Sequence, residues 1–303
     1  MQAALPGQRR SPRPRMDVLG VATLFLLPTF AGLLVFHWWP LVTAIQNSTL
    51  RFSPLNPNAA VFVGADNYIN LFSNERFVRA IVNTLVYIGG KLILQIPLAL
   101  GLALLLNRSL PGTRIVRGGV FAALVASEAV IALIWNILYT PDNGLFNVFL
   151  GIIGVPSQPF LTSVTQALPS ILVMIVWKDI GFTTLILLAG LQTIPHEYHE
   201  AAQIDGAGPW ARLVHITLPL LRRMLLLATF MATIAGSRIF IPIALMTDGG
   251  PQDATVNAVY FMYEQAFKYQ RMGDASATAM LIILLLVAIT LVQAGLLRTD
   301  HEY

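Results

Sequence analysis

Six long apolar runs constrain the fold of this chain more than any other feature of its sequence. They cover approximately residues 18–39, 80–106, 115–138, 168–191, 224–246 and 277–297. Each run has about the 20 residues that an α-helix needs to cross the hydrocarbon core of a membrane. Only 11% of the 303 residues are charged, whereas a typical soluble domain has about 25%. The sequence therefore predicts an all-α polytopic membrane protein with six transmembrane helices.

Several kinds of chemistry are excluded or disfavoured by the sequence. Because the chain has no cysteine, it has no disulfide, no thiolate nucleophile and no cysteine metal ligand. No stretch fits the phosphate-binding loop of ATPases, since Gly90-Lys91 lacks both the upstream glycine and the following Ser or Thr. His196 and His199 lie close to Glu200, but a solvated helix face explains them better than a metal site. We therefore predict no catalytic residue and no metal ligand.

The runs divide the chain into four parts. Residues 1–16 form a basic tail, and residues 17–78 hold the first transmembrane helix and a polar segment outside the membrane. Residues 79–297 form the transmembrane core, which includes a polar loop at 195–223, and residues 298–303 form a short tail. The first run is too long for a signal peptide and lacks a small-residue cleavage site, so we expect it to be retained.

The cations are distributed unevenly between the two sides of the predicted membrane protein. The side that holds both termini carries eleven: Arg9, Arg10, Arg13, Arg15, Arg108, Arg114, Arg117, Arg212, Arg222, Arg223 and Arg298. The other side carries five: Arg51, Arg76, Arg79, Lys268 and Arg271. Because cytoplasmic loops are enriched in Lys and Arg, this bias predicts cytoplasmic termini and a cytoplasmic 195–223 loop. It also explains the sequence pI near 9.6 without a nucleic-acid partner.

The segment at 195–223, named here the Glu200 loop, has its own helix signals. Pro195 can open a helix, since a proline in the first turn loses no backbone hydrogen bond. Gly206 is expected to stop that helix, Pro209 to start a second one, and Pro219 to end or kink it. The loop should therefore form two short helices bent at a glycine.

The Glu200 loop resembles the EAA loop of ATP-binding-cassette (ABC) importer permeases. The matching residues are Glu200-Ala201-Ala202, then three residues, Gly206, nine residues, Ile216, one residue and Leu218-Pro219. Asp205-Gly206-Ala207 is similar to the carbohydrate branch of this family. The resemblance implies a coupling helix that binds a cytoplasmic ATPase. The coupling residues that it implies are Glu200, Ala201, Ala202, Asp205, Gly206, Ala207, Ile216, Leu218 and Pro219.

Other stretches also resemble the carbohydrate permeases. Residues 62–72 match the pattern F-x-G-x-x-N-Y-x-x-L-F. Thr247-Asp248-Gly249-Gly250-Pro251, followed by Thr255, resembles an outer loop of sugar permeases, and Gly273-Asp274-Ala275-Ser276-Ala277 resembles the start of their last span. The matched stretches cover most of residues 62–279.

The resemblance implies the rest of a transport complex. It implies the permease fold of a type I ABC importer in the plasma (inner) membrane of a bacterium, working by alternating access. The implied partners are a second homologous permease subunit, an ATPase dimer that carries ATP and Mg, an extracytoplasmic substrate-binding protein and membrane lipid. This chain would bind no cofactor itself and would catalyse no covalent reaction.

Polar side chains within the apolar runs are the candidates for a solute pathway. Ionisable groups at membrane depth are costly, so they usually face a cavity or a partner. An aromatic ring can stack on the apolar face of a sugar, while charged groups bind its hydroxyls. The candidates are Lys91, Glu128, Trp135, Asn136, Lys178, Asp179 and Arg238. The alternative is that these charges pair with one another structurally, for example Glu128 with Arg238 or Lys178.

Two other classes of transporter remain open from the sequence, and a non-transport membrane scaffold fits it least. An ABC permease for a non-sugar solute would keep the Glu200 loop. An ion-coupled secondary transporter would be expected to contain internal repeats and broken helices, and no convincing repeat is visible. A membrane scaffold would leave the buried charges unexplained. The sequence does not name the sugar, and the cations Lys91, Lys178 and Arg238 leave a phosphorylated or acidic solute open.

Overall fold

The computed structural model describes residues 18–108 and 112–297, so the predicted basic tail and the last six residues lie outside the described part. Within it, five helices are long and apolar enough to cross a membrane. A sixth span is added if a pair of bent helices counts as one. The predicted all-α membrane architecture is thus confirmed, although one of the six spans is not a straight helix.

The first helix is longer than its apolar run. It comprises α1 (Val18–Leu33), a π-helical turn (Leu34–Trp38) and α2 (Trp39–Ser48). It continues past Trp39 because the wider π-helical turn before Pro40, in which the N–H of Trp39 bonds to the carbonyl of Leu34, accommodates a residue without an N–H. Of the three parts of this helix, α2 makes the main contact with the last helix of the chain, whereas Phe25 of α1 and Phe36 of the π-helical turn are exposed.

The predicted polar segment after the first helix has regular structure. It contains an antiparallel hairpin of β1 (Leu50–Ser53) and β2 (Asn56–Phe62), followed by α3 (Asp66–Phe72). The buried Asn67 holds these parts together, since its side-chain amide donates to the carbonyls of Ser48 and Leu50 at 2.8 and 2.9 Å.

Three helices form the centre of the bundle: α4 (Glu75–Leu106), α8 (Ala167–Gln192) and α11 (Leu218–Ser237). Glycines allow these helices to approach closely, as is common in membrane bundles. A Cβ at Gly190 of α8 would lie 2.7 Å from Leu221 of α11, and one at Gly236 of α11 would lie 3.2 Å from Ile88 of α4.

The third apolar run is broken, which corrects the prediction of one span over 115–138. It forms α5 (Thr113–Val125) and α6 (Glu128–Leu138), bent by 105° where these two helices meet. Ser127 has an extended backbone and precedes the first turn of α6, as expected for a helix start. The following loop contains a further helix, α7 (Leu145–Ile152), and a 3-10 turn (Phe160–Thr162).

The fifth run is also interrupted. The helix α11 ends at Ser237, and α12 (Ile241–Met246) begins after a short break. Pro242 lies in the first turn of α12, which accounts for the break: in a continuous helix this proline would have no N–H for the carbonyl of Arg238, and its ring would clash with that carbonyl. The chain then continues through α13 (Ala258–Tyr263), a π-helical turn (Glu264–Lys268) and α14 (Met272–Leu297).

Candidate functional site

Charged side chains of α4 and α8 meet inside the bundle, and the carboxylate at the start of α6 is near them. Lys91 is fully buried, and its Nζ lies 2.5 Å from Oδ2 of Asp179. The neighbouring Lys178 reaches the other carboxylate oxygen at 3.3 Å. Glu128 interacts electrostatically with these three groups. We name these four residues the charge cluster.

The surroundings of Lys91 are built to accept its long side chain. A Cβ at Gly236 would lie 3.3 Å from Cδ of Lys91, so α11 leaves room for this stem only because it has no side chain there. One turn along α4, Gln95 donates to Thr183 Oγ1 at 2.6 Å. Both polar pairs join α4 to α8, which indicates that Lys91 and Asp179 hold the bundle together.

Neither of the ion pairs suggested for Glu128 from the sequence, with Arg238 or with Lys178, is present in the structure. Within the part of the chain that the structure describes, Glu128 makes no hydrogen bond and no ion pair closer than 4.0 Å, and it is half-buried. It begins α6 instead of lying in the middle of a span. Arg238 follows the end of α11, is exposed, and has no ion pair with a described residue. Structural pairing therefore accounts for Lys91 and Asp179 but not for Glu128 and Arg238.

The aromatic candidate Trp135 lies in the core. It is 9% exposed and packs against Tyr139, Phe146 and Trp177, with ring centroids 5.4–5.6 Å apart. Trp177 itself is 48% exposed and precedes Lys178, so it is the better placed of the two to contact a solute. The sequence signal for it was its position beside the charged pair. Asn136 is half-buried and donates to the carbonyl of Leu245 in α12 at 3.5 Å.

The Glu200 loop begins with α9 (His196–Ile204), which stops, as predicted, just before Gly206. Gly206 has a φ of +81°, in the left-handed region that glycine adopts without strain. The N–H of Ala207 donates to the carbonyl of Ala202 at 2.8 Å, and that of Gly206 to Gln203 at 3.1 Å. This pair of hydrogen bonds is the Schellman motif, which closes the C-terminus of a helix.

The two faces of α9 differ in character. Its outward face carries Glu197, Glu200 and Ala201, followed by Ile204, all of them exposed. Ala202 and Ala207 are half-buried and close the turn, so they are less open to a partner than the sequence suggested. Asp205 and Gly206 are exposed at the tip.

The second part of the loop differs from the prediction at Pro219. The helix α10 (Pro209–Arg212) continues through a π-helical turn (Leu213–Thr217) into α11 without a break. The N–H of Leu218 bonds to the carbonyl of Leu213, five residues back. This wider turn accommodates a residue without an N–H, so Pro219 neither ends nor sharply kinks the helix. Ile216 and Leu218 are half-buried, whereas Pro219 is exposed.

A second loop, residues 247–257, is named here the Pro251 loop, and its contacts were not foreseen from the sequence. Asn83 of α4 donates to the carbonyls of Val256 and Ala254 at 2.8 and 3.2 Å, and Arg76 pairs with Asp253 at 2.9 Å. Arg76 also pairs with the buried Glu264 at 2.7 Å.

The first turn of the Pro251 loop carries a small polar network. The Tyr260 hydroxyl donates to Asp248, and Lys268 donates to Asp248 at 3.1 Å and to Tyr260 at 3.0 Å. These hydrogen bonds, that of Tyr260 first, lower the pKa of the Asp248 carboxyl. Burial, followed by the bond to Asp248, raises the pKa of Tyr260 to about 12.

Comparison with known proteins identifies the family. Residues 95–298 match the family model described as the binding-protein-dependent transport system inner membrane component. The chain belongs to this family. It is thus a permease subunit of a binding-protein-dependent ABC transporter, and the predicted family and the non-catalytic character of the chain are confirmed.

Several permeases are similar to the chain over nearly its whole length. The trehalose/maltose transport system permease protein MalF of Thermococcus litoralis is 35% identical over 285 residues, which are 91% of this chain and 94% of the relative. The sn-glycerol-3-phosphate transport system permease protein UgpA of Yersinia enterocolitica is 31% identical over 294 residues, 97% of this chain and 99% of the relative.

A solved permease structure has the same fold. It belongs to a bacterial ABC transporter involved in the import of the acidic polysaccharide alginate, and it is 25% identical with a TM-score of 0.79. The match covers 93% of this chain and 96% of that chain. The permease fold predicted from the sequence is therefore confirmed.

Proposed function

We propose that this permease moves a sugar or sugar derivative into the cytoplasm as part of an ATP-driven importer. The observation that carries the proposal is the charge cluster, in which Glu128 and Lys178 remain partly exposed at membrane depth beside Trp177. A carboxylate, an ammonium and an indole together offer what a sugar needs, namely charged hydrogen-bond partners and a stacking surface. The substrates named for the relatives are of the same class, since they include trehalose, maltose and alginate.

Within the cluster, we assign different roles to the charged groups. Lys91 and Asp179 hold α4 and α8 together, because Lys91 is fully buried and already paired. Lys178 and Glu128 face the solute pathway and contact hydroxyl groups, with Trp177 as the stacking residue in place of the buried Trp135. Asn136 supports α6 against α12.

The exposed charges also support a second permease subunit. Contact with lipid at membrane depth would be costly for the exposed Arg238 guanidinium and for the half-buried Glu128 carboxylate, so we expect them to face a water-filled pathway or another protein. A second, homologous subunit would complete that pathway. An extracytoplasmic binding protein would deliver the solute, in keeping with the family description.

The Glu200 loop is proposed to couple transport to ATP hydrolysis. A cytoplasmic ATPase dimer that binds ATP and Mg would contact the exposed tip formed by Glu200, Ala201, Asp205 and Gly206. The continuous helix from Pro209 into α11 would carry movement of the tip into the membrane, with Ile216, Leu218 and Pro219 in its connecting turn. Ala202 and Ala207 keep the tip in shape. This arrangement requires cytoplasmic termini, as the distribution of cations also favours.

A phosphorylated or acidic solute is the second candidate. Arg238 favours it, because this exposed cation has no ion pair among the described residues. The glycerol-3-phosphate permease relative has such an anionic substrate in its name.

Purification of the tagged chain from its native membrane tests the proposal. We expect an ATPase, a second permease and a binding protein to be recovered, and the binding protein to bind a sugar in a ligand screen. Lys178→Met and Glu128→Gln should raise the KM for uptake of that sugar at least about tenfold without loss of the complex. Recovery of the chain alone, with uptake driven by an ion gradient, would overturn the proposal.

A further inference from the structure

The short helix α7 has its polar side chain inside and its apolar side chains outside. Asn147, its one polar residue, is buried and donates to the carbonyls of Pro141 and Gln158, each at 2.9 Å. The N–H of Gln158 donates in turn to the side-chain oxygen of Asn147 at 2.8 Å. Phe149 and Ile152, in contrast, are 58% and 75% exposed. Such an exposed apolar face marks a contact with a membrane or with another apolar surface.

A groove of about 780 Å³, named here the α7 groove, lies between α6, α7 and α8. Its lining consists mostly of aromatic and aliphatic side chains, which include Trp135, Tyr139, Phe146, Phe149, Ile153 and Val173. Polar side chains line it just before α8 begins, at Gln158, Thr165 and Gln166. Gln166 donates to Gln158 at 2.9 Å, so the two amides lie side by side. The α7 groove is therefore polar at its loop end and mostly apolar along the span.

A second groove of about 550 Å³, named here the α5 groove, lies between α4, α5 and α8. It adjoins the first, because Val173 lines both. Its other lining residues are also apolar and include Leu94, Leu98, Leu102, Ala123, Val176 and Ile180. The α8 residues that line the two grooves run from Pro169 to Ile180, which is about 16 Å along the helix axis at 1.5 Å per residue. The apolar lining is thus at least as deep as the hydrocarbon of one leaflet, since the whole core measures about 30 Å.

We propose that the two grooves hold an acyl chain of a phospholipid of the outer leaflet. The chain lies against Val173, and the glycerol esters of the lipid lie at Thr165 and Gln166. The exposed Thr165 hydroxyl and the half-buried Gln166 amide can donate hydrogen bonds to ester carbonyls. The leaflet follows from the cation distribution, which places the loop that contains α7 outside the membrane. This site goes beyond the transport function proposed above.

The chemistry of the lining favours a lipid over a span of a partner subunit. Protein interfaces are enriched in arginine and carry hydrogen bonds across much of their area. Within the described part of the chain, both grooves are lined by neutral side chains, and apart from the buried Ser170 the polar ones gather at the loop end. One polar end followed by a long apolar stretch is the profile of a phospholipid in a leaflet. A neutral lining also predicts no preference for anionic headgroups.

Photolabelling of the complete complex tests the proposal. The probe is a phosphatidylethanolamine with a diazirine in the middle of one acyl chain. The complex is reconstituted with the probe, extracted into detergent, washed free of loosely bound lipid and then illuminated, so that a retained lipid is labelled. We expect the label on residues 145–153 and 169–180. Val173→Trp fills the position that the two grooves share and should reduce this label at least about fivefold.

Leu284→Trp is the matched control, because Leu284 is 62% exposed, against 49% for Val173, and lies on α14, outside both grooves. The control should keep the wild-type label, and a phosphatidylglycerol probe should give the same label within about twofold.

A wild-type label that is no stronger on residues 145–153 and 169–180 than on α14 would overturn the inference. Cross-links from these residues to a partner subunit, in place of the lipid label, would overturn it as well. Neither outcome bears on the proposed function, since the labelling needs no solute and no ATP.

Discussion

The Pro251 loop and the Glu200 loop are built in opposite ways. The Pro251 loop is fixed by side chains from other elements, since Asn83 and Arg76 of α4 bind its carbonyls and Asp253. Among the described residues, the tip of the Glu200 loop is closed by its own backbone hydrogen bonds, and its large apolar side chains are exposed. One loop is completed within the subunit, and the other has a surface left for a partner.

Because of this difference, we expect substitutions in the two loops to affect different properties, namely the stability of the subunit and the coupling of transport to ATP hydrolysis. Substitutions in the contacts of the Pro251 loop should lower the stability of the subunit, because buried polar groups would lose their partners. Substitutions at the tip of the Glu200 loop should leave stability nearly unchanged and affect transport instead.

The largest effect on stability is expected for Arg76→Gln. This change leaves the buried Glu264 with only the longer contact to Lys268 at 3.4 Å, and it removes the pair with Asp253. Since Arg76 is itself partly exposed, we expect a loss of about 2–4 kcal/mol in the free energy of unfolding. Thermal unfolding in detergent measures it.

Arg79→Gln is the control for this variant. Its guanidinium is exposed and only donates to the carbonyl of Gln252, at 2.8 Å, so the loss should be about 1 kcal/mol or less. Equal effects of the two substitutions would contradict the description of Glu264 as a buried, partner-dependent carboxylate.

A glycine-to-alanine substitution in each loop tests the same difference between the two loops with one chemical change. Gly249 in the Pro251 loop and Gly206 in the Glu200 loop have φ values of +84° and +81°. Alanine costs about 1–2 kcal/mol at either position through backbone strain. At Gly249 the new Cβ would also lie 2.8 Å from Val256, so Gly249→Ala should be the more destabilising by about 1–3 kcal/mol.

Unfolding curves of the two alanine variants, recorded side by side, decide this prediction. A Gly206→Ala variant that is as unstable as Gly249→Ala would mean that the Glu200 loop is packed within the subunit. In that case the tip would not be a free surface.

The smallest effect is expected at Asp248. Its folded-state pKa is lowered by hydrogen bonds from Tyr260 and Lys268, so its stabilisation is present above the unfolded pKa of about 4 and is lost as the pH falls through the folded value. Because this carboxylate is mostly exposed, the effect should be under about 1 kcal/mol. Thermal unfolding between about pH 3 and 7 should be less acid-sensitive in Asp248→Asn than in wild type. Identical acid profiles would argue against the network.

The sequence predicted the helices where apolar runs are continuous. The fourth span, expected at about residues 168–191, is Ala167–Gln192, because it has no proline beyond its first turn and its two charges, Lys178 and Asp179, do not stop a helix. The breaks after Val125 and Ser237 were missed, although Ser127-Glu128 and Ile241-Pro242 are both typical signals of a helix start. These signals were outweighed by the hydrophobicity of the runs.

The partners of the charged residues could not be predicted in the same way. Lys91 and Asp179 are 88 residues apart, and their contact depends on how α4 and α8 rotate against each other. The sequence indicated that charges at membrane depth need partners, but it gave no information on which of them would meet. The turn of the Glu200 loop was easier to predict, because it depends on the local conformation of Gly206.

The measurement that tests the account most directly is ATP hydrolysis and solute uptake in the same proteoliposomes, made with the purified complex. Glu200→Ala should keep thermal stability within about 0.5 kcal/mol of wild type, since the side chain is exposed. We expect it to reduce uptake at least about tenfold while ATP hydrolysis becomes independent of the loaded binding protein. Wild-type uptake in this variant, with hydrolysis still responsive to the binding protein, would contradict the coupling role of the Glu200 loop.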